Sequence, residues 1–286
     1  MVLADWRLIA AYARDDFDVP VEPENTYQVI LTKSINDRNI FRLVYHEAIR
    51  QHFHTELFQD FNVSFPAGNA TFTAIGTGNP DLEFLRTKTT EIGLRSELNE
   101  SVFLDAEVWI SKVNNFTAAD STFLDRFTNV SSFITLPLSL EQIGLTTSIN
   151  YRLNNNLTST FFITYQETQL KDAYPDLSTR STLEDRSHDS TPKWFGGFTL
   201  NYSISDQWHW HVNCYSVDDR QMRRFRSRDR IDTILLLSTR LTYQYDENIS
   251  FFITGNNVGD SDKNEFGFTD SSQEMYLIGF EFLAKD

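Results

Sequence analysis

Histidine and carboxylate side chains gather at one point of the chain, where together they could ligate a transition metal. They are His46, Glu47, His52, His54 and Glu56. Their spacing follows no recognised metal-ligand pattern, and a long surface loop accepts such residues freely. The sequence therefore predicts no metal site and no cofactor. We keep Arg50, His52 and His54 as candidate contacts for a small ligand.

Two more histidines, His209 and His211, alternate with Trp208 and Trp210. In a strand this alternation places both imidazoles on one face and both indoles on the other. Tryptophan is enriched at membrane interfaces, so the histidines would point into the lumen of a membrane barrel. They are the second group of candidate ligand contacts.

A run of arginines interrupts an otherwise acidic chain of net charge −15. The run comprises Arg220, Arg223, Arg224, Arg226, Arg228 and Arg230. It is either a solvated loop or an anion-attracting rim for acidic ligands or lipopolysaccharide phosphates; Arg224 and Arg226 are the candidates at its centre. Because the net charge repels phosphate backbones, nucleic acid is excluded as a partner.

No set of residues predicts catalysis. The segment Ser187-His188-Asp189-Ser190 contains the residue types of a catalytic triad, but triads are assembled from separated elements rather than from neighbours. The single cysteine, Cys214, allows no intrachain disulfide and no Cys-pair zinc site. We therefore expect no catalytic residues and a protein that is not an enzyme.

The elements that position these residues are strands, because apolar and polar residues alternate with period two. Leu235, Leu237, Leu241 and Tyr243 fall on one face, and polar residues such as Arg240 fall on the other. A mean hydropathy of −0.38 does not exclude a membrane protein, since a transmembrane barrel also alternates lipid-facing and lumen-facing residues. The predicted fold class is all-β.

Connections between these strands alternate between short polar turns and long segments. The short turns lie near residues 36–37, 99–100, 154–156, 205–207 and 246–248; the long segments are about 15–25, 47–86, 112–127, 171–191, 218–230 and 257–272. This rhythm is typical of outer-membrane barrels. It predicts about twelve antiparallel up-and-down transmembrane strands, provided that residues 127–153 form one long strand.

Several motifs along the chain resemble those of one known family. The segment Gly78-Asn79-Pro80-Asp81-Leu82-Glu83 followed by Thr90-Glu91-Ile92-Gly93-Leu94-Arg95 is similar to a loop-to-strand motif of the TonB-dependent receptors. Upstream, Phe41-Arg42-Leu43-Val44-Tyr45 resembles a family strand, although His52 stands where proline is usual. Downstream, Asn257-Val258-Gly259-Asp260 and Tyr276-Leu277-Ile278-Gly279 resemble its last strands.

The resemblance implies a 22-stranded barrel with a plugged lumen, of which residues 1–286 would form the carboxy-terminal half, without signal peptide or plug. The edges at residues 6–13 and 276–283 would then need partner strands. It also implies TonB-dependent uptake of a scarce nutrient, such as an iron–siderophore complex, across the outer membrane. The expected partners are outer-membrane lipid, the small nutrient ligand, and the TonB system acting through a plug.

Two other functions remain open. A barrel of about twelve strands could close on itself and act as a passive diffusion channel. Alternatively, the chain could be a non-transporting remnant of a split or truncated receptor gene. A plug domain encoded directly upstream would favour the receptor, and a signal peptide there without a plug would favour the channel.

Overall fold

The computed structural model of the chain describes residues 2–3, 5–19, 23–174, 182–223, 228–259 and 273–283. These residues are almost entirely β-strand, as the period-two alternation predicts. The one helix among them is α1 (His54–Phe58). No helix in the described ranges is long and apolar enough to cross a membrane.

Twenty strands are described. In the first half of the chain they are β1 (Val2–Leu3), β2 (Trp6–Asp15), β3 (Glu24–Asn36), β4 (Asn39–Arg50), β5 (Asp60–Ala67), β6 (Ala70–Thr77), β7 (Leu85–Asn99), β8 (Val102–Asn114), β9 (Phe116–Phe123), β10 (Thr128–Leu136) and β11 (Ser139–Asn154). In the second half they are β12 (Leu157–Ala173), β13 (Glu184–Ser187), β14 (Trp194–Ser203), β15 (Trp208–Val217), β16 (Arg220–Arg223), β17 (Arg228–Ile231), β18 (Ile234–Gln244), β19 (Ile249–Asn256) and β20 (Met275–Phe282).

The main sheet has 14 strands in the order β1-β2-β3-β4-β7-β8-β11-β12-β14-β15-β18-β19-β20, with β13 added beside β12. Apart from the short β1 and β13, twelve long strands run up and down, which confirms the predicted number. Neighbouring strands pair antiparallel throughout. Among the described residues β1 and β20 are the two edges and do not pair with each other, so the sheet is a partial barrel.

The predicted short turns all lie at one end of the sheet, which we call the turn end, and they share one device. In each turn a side-chain oxygen accepts a hydrogen bond from the backbone N–H two residues later, as Asn, Asp and Ser do in tight turns. The accepting residues and their distances are Asn36 (3.0 Å), Asn99 (2.9 Å), Asn154 (2.9 Å), Ser205 (3.3 Å) and Asp246 (2.8 Å). The opposite end, where the long connections lie, is the loop end.

The prediction that residues 127–153 form one strand is wrong. The segment contains two strands, β10 and β11, and Pro137 lies between them. Proline has no N–H to donate to a ladder, so it interrupts a strand. The alternation of short and long connections nevertheless holds, because β10 does not belong to the main sheet.

Two long connections build a second sheet at the loop end, which we call the outer loop sheet. Its four strands lie in the order β5-β6-β10-β9. The hairpin β5–β6 comes from the connection between β4 and β7, and the hairpin β9–β10 from the connection between β8 and β11. The hairpins join through a parallel pairing of β6 with β10. The two loops therefore form one structural unit.

The main sheet has one apolar face and one polar face. Leu43, Ile92, Val108, Leu145 and Tyr165 lie opposite one another on five adjacent strands, and all five are exposed. The adjacent row lies on the polar face and runs through Arg42, Gly93, Glu107, Thr146 and Thr164. In β18, Leu241 pairs with Ile253 and Arg240 with Thr254, which agrees with the predicted faces.

Candidate functional site

Four charged side chains form a network on the polar face. An oxygen of Asp105 lies 3.3 Å from the Arg42 guanidinium, and the other lies 2.7 Å from that of Arg95. Arg42 also forms an ion pair with Glu107. About three quarters of the Arg42, Asp105 and Glu107 side chains is removed from solvent. The network therefore fixes two cations and two anions across β4, β7 and β8.

Gly93 makes this network possible. It lies between Arg42 and Glu107 in the register of the three strands. A Cβ atom at Gly93 would lie 2.5 Å from Arg42 Nε, a distance that Cβ atoms essentially never show. Because glycine has no side chain, the Arg42 side chain can lie across β7 and reach β8. Its Nε is buried and has no hydrogen-bond partner among the described residues.

Two cavities on the polar face share the arginines of this network. The larger has a volume of about 570 Å³ and the second about 500 Å³. Besides the network, the larger is lined by Phe103, Leu104, Thr146, Ser148, Asn150 and Arg152. Fixed charges and hydroxyl groups suit recognition of a polar surface. The sequence analysis named Arg95 as part of a motif but did not predict its pairing with Asp105, because strand register is not visible in one sequence.

The predicted group at Arg50, His52 and His54 lies at the loop end, where β4 leads into α1. The His52 side chain is fully buried: its Nε2 lies 3.0 Å from the Glu83 carbonyl oxygen, and its Nδ1 lies 3.4 Å from a Glu56 carboxylate oxygen. Arg50 and His54 are exposed. The His52 side chain therefore connects α1 to Glu83, near the end of the long connection between β4 and β7. Arg50 and His54 remain accessible to a ligand.

The second predicted group lies at the opposite end of the sheet. His209 and His211 point to the polar face near the turn that precedes β15. Their Nδ1 atoms lie 3.0 Å from Ser203 Oγ and 2.7 Å from Asn201 Oδ1. The structure therefore does not bring the two histidine groups together. Arg224 and Arg226 lie outside the described residues.

The Gly78–Glu83 motif, which follows β6, holds the hairpin β5–β6 to the hairpin β9–β10. Asn79 Nδ2 donates a hydrogen bond to the Phe133 carbonyl oxygen of β10 at 2.9 Å, and the Glu83 N–H donates to Thr135 Oγ1 at 3.1 Å. Between them Leu82 is only 1% exposed. The motif is therefore a structural clamp between the loop after β4 and the loop after β8.

Aromatic rings cluster on one face of the outer loop sheet. The ring of Phe72 lies 5.1 Å from that of Phe65 and 6.3 Å from that of Phe123. Phe61, Phe65 and Phe123 are all exposed. Such a surface can stack on planar rings of a ligand. The alternation Phe61, Val63, Phe65 carried this signal in the sequence, but it was not singled out.

A third cavity, of about 490 Å³, opens among the loops after β12 and β15 and is lined by His188, Asp189, Lys193 and Asp218. Burial lowers the pKa of His188 from its ordinary value, because desolvation disfavours the charged imidazolium. It contacts Thr191 Oγ1. Over the described part of the chain, no three His, Cys, Asp or Glu side chains come together as a metal-binding group.

Comparisons with known proteins agree with this architecture. The family model described as "TonB dependent receptor-like, beta-barrel" matches residues 3–258. A comparison with curated protein sequences gives no match. Among solved structures, the chain resembles the siderophore receptor PirA from Acinetobacter baumannii, with a TM-score of 0.74 and 13% identity over 98% of this chain and 44% of that one.

Two further structures are similar. A mutant of the ferric enterobactin receptor PfeA from Pseudomonas aeruginosa gives a TM-score of 0.71 and 13% identity, over 98% of this chain and 43% of that one. The ferric-catecholate import receptor Fiu from E. coli gives 0.64 and 13%, over 91% and 35%. The chain thus spans less than half the length of these receptors. Because the family model matches most of its residues, the chain belongs to the TonB-dependent receptors, a family of outer-membrane transporters, and forms part of their β-barrel domain.

Proposed function

We propose that the chain forms part of an outer-membrane receptor that takes up a scarce nutrient, such as an iron–siderophore complex, in a TonB-dependent manner. The observation that carries this proposal is the division of the main sheet into an apolar and a charged face, with exposed aromatic rings at its loop end. In this arrangement the apolar face contacts lipid and the polar face lines the lumen. The charged network then lies where the plug of such a receptor would sit.

Tyrosines support the contact with lipid. Near the loop end four tyrosine hydroxyls donate hydrogen bonds to an asparagine or glutamate side chain, as expected for an aromatic girdle at a membrane interface. The pairs are Tyr12–Asn25 (2.6 Å), Tyr45–Glu47, Tyr165–Glu167 (2.8 Å) and Tyr276–Glu274 (3.1 Å). At the turn end the rings of Trp208 and Tyr243 lie 4.8 Å apart on the apolar face. The apolar rows between these two levels are the proposed lipid-facing band.

Ligand capture is proposed for the loop end. The Phe61, Phe65 and Phe123 rings offer stacking surfaces, and Arg50 and His54 offer donors for an anionic chelate. The names of the similar structures, a siderophore receptor and two receptors for iron chelates, favour a ligand of this class. The proposed mechanism is binding followed by movement of the plug through the TonB system, with no covalent step. Arg224, Arg226, His209 and His211 stay proposed contacts.

Growth on defined iron sources tests the proposal. A strain that lacks the gene should fail to grow on one iron chelate, and the wild-type gene should restore growth only when TonB is present. Phe65→Ala with Phe123→Ala should lose uptake, whereas Phe65→Tyr with Phe123→Tyr should keep it because the rings remain. Uptake without TonB would favour the passive channel. Growth on every tested nutrient without the gene would contradict the proposal.

A further inference from the structure

A row of four charged residues crosses the apolar face just beyond its last apolar row. Glu47, Lys88, Lys112 and Glu141 lie directly opposite one another on β4, β7, β8 and β11. One step towards the turn end on the same face, the corresponding row includes Ile110 and Ile143. The charged row therefore marks the boundary at which the apolar face ends.

The two lysines at the centre of this row are direct cross-strand neighbours. Like charges in this position destabilise a sheet. Each ammonium instead lies beside the carboxylate on its outer flank: Lys88 Nζ is 3.5 Å from Glu47, and Lys112 Nζ is 3.5 Å from Glu141. Both side chains stay about half exposed, at 47% and 49%. Each ammonium has three donors, so both can still donate to an anion placed between them.

The tyrosine girdle fixes the level of the two lysines. The Tyr45 hydroxyl donates to Glu47, which belongs to the charged row itself. The Tyr165 hydroxyl donates to Glu167, which lies one row nearer the turn end. Tyrosines of this kind sit at the depth of the lipid headgroups. Long lysine stems can also lie along apolar surface while the ammonium reaches the interface. An anion at this depth, outside the barrel wall, belongs to a lipid headgroup.

We propose that Lys88 and Lys112 together bind the phosphate of a phosphorylated lipid headgroup in the leaflet at the loop end. The lysine pair supplies two positive charges to one anion, and the anion removes the repulsion between them. Glu47 and Glu141 hold the ammonium groups in place until the lipid arrives. The inference rests on the proposed membrane placement and is independent of which nutrient is taken up.

The test uses the polypeptide that carries this chain, extracted from a gram-negative outer membrane in mild detergent. Lipid A with both phosphates and lipid A without phosphates are added, and bound lipid is counted by native mass spectrometry. Each lysine near an anionic surface contributes on the order of 1 kcal/mol, and 1.4 kcal/mol is tenfold in affinity. Lys88→Gln with Lys112→Gln should therefore weaken binding of phosphorylated lipid A by about 30-fold.

Two further variants separate a binding role from a structural one. Lys33→Gln removes a lysine that lies over the Trp6 ring at the turn end of the same sheet, and it should leave lipid A binding unchanged. Glu141→Gln releases Lys112 from its carboxylate and should strengthen binding several-fold, a gain that mere damage to the sheet cannot produce. Heat-modifiable mobility on gels, measured for every variant, reports folding separately.

Three results would overturn the proposal. The first is equal binding of lipid A with and without phosphates by the wild-type protein. The second is unchanged binding by the folded double lysine variant. The third is displacement of lipid A by millimolar inorganic phosphate, which would make this a site for free phosphate. Loss of nutrient uptake with lipid binding retained would count against the proposed function and leave this inference standing.

Discussion

Replacing Gly93 by alanine should destabilise the sheet only while Arg42 is present. The added Cβ atom would lie 2.5 Å from Arg42 Nε and 2.9 Å from its Cγ. The guanidinium end of Arg42 is held by Asp105 and Glu107 on β8, so the side chain cannot simply swing aside. Relief of the clash requires Arg42 to give up at least one of these ion pairs.

The magnitude follows from two opposing contributions. Gly93 does not have a positive φ, and at such a position Gly→Ala stabilises by about 0.4–1 kcal/mol through the unfolded chain. A charge-assisted hydrogen bond in the folded protein contributes about 1.5–3 kcal/mol. The Arg42, Asp105 and Glu107 side chains are only 25%, 24% and 24% exposed, so solvent screens their pairs weakly. We expect Gly93→Ala to cost about 1–2 kcal/mol net.

A double-mutant cycle measures this coupling. The four proteins are the wild type, Gly93→Ala, Arg42→Ala and the double variant, unfolded by urea in lipid vesicles and followed by tryptophan emission. In the Arg42→Ala background the clash is absent, so Gly93→Ala should stabilise by about 0.4–1 kcal/mol. An equal free-energy change in both backgrounds would refute the idea that Gly93 makes room for Arg42.

Three other features of the sheet and its loops predict measurable outcomes. Leu237→Arg should impair membrane assembly, by roughly 2–4 kcal/mol if the side chain lies at the bilayer midplane and by less nearer an interface, whereas Ser238→Arg on the polar face should be tolerated; equal loss of heat-modifiable protein would contradict the assigned faces. Burial lowers the pKa of His188. The folded loop is therefore favoured at a pH above the ordinary histidine pKa of about 6.5, and it loses stability as the pH falls below that value. Hydrogen exchange at the Thr191 amide should therefore lose protection between about pH 7 and pH 5, and unchanged protection would argue against this. Asn79→Asp keeps the acceptor for the Asp81 N–H but removes the donor to β10, and faster proteolysis of residues 115–138 is expected; wild-type rates would show that the clamp contributes nothing.

Features that depend on residue spacing alone were predicted correctly from the sequence. Alternation along β18 gave the faces of Leu241 and Arg240, because the side-chain period of a strand is two whatever its neighbours are. The turns at Asn99 and Asp246 were equally visible, since their side chains form hydrogen bonds within the turn itself. Both kinds of feature are local, so one sequence contains all the information they need.

Features that depend on register were not predicted. The crossing of Arg42 over Gly93 to Glu107 requires three strands to be aligned, and the alternation of each strand is compatible with several alignments. The prediction of one strand at residues 127–153 rested on the alternation of short and long connections, and that alternation does not show that β10 pairs in a separate sheet. His52 was chosen for its residue type, and only the packing of α1 shows that its side chain is buried.

The parallel pairing between β6 and β10 has a consequence for the order of folding. The hairpins of the main sheet join strands through short turns and can form early, because little chain entropy is lost when a short loop closes. By contrast, Thr73 meets Thr128 only after β7 and β8 have brought the two long connections side by side. The outer loop sheet should therefore form last during assembly and open first during unfolding. A receptor that has just been inserted would then pass through a stage in which its wall is complete and its aromatic surface is not yet built.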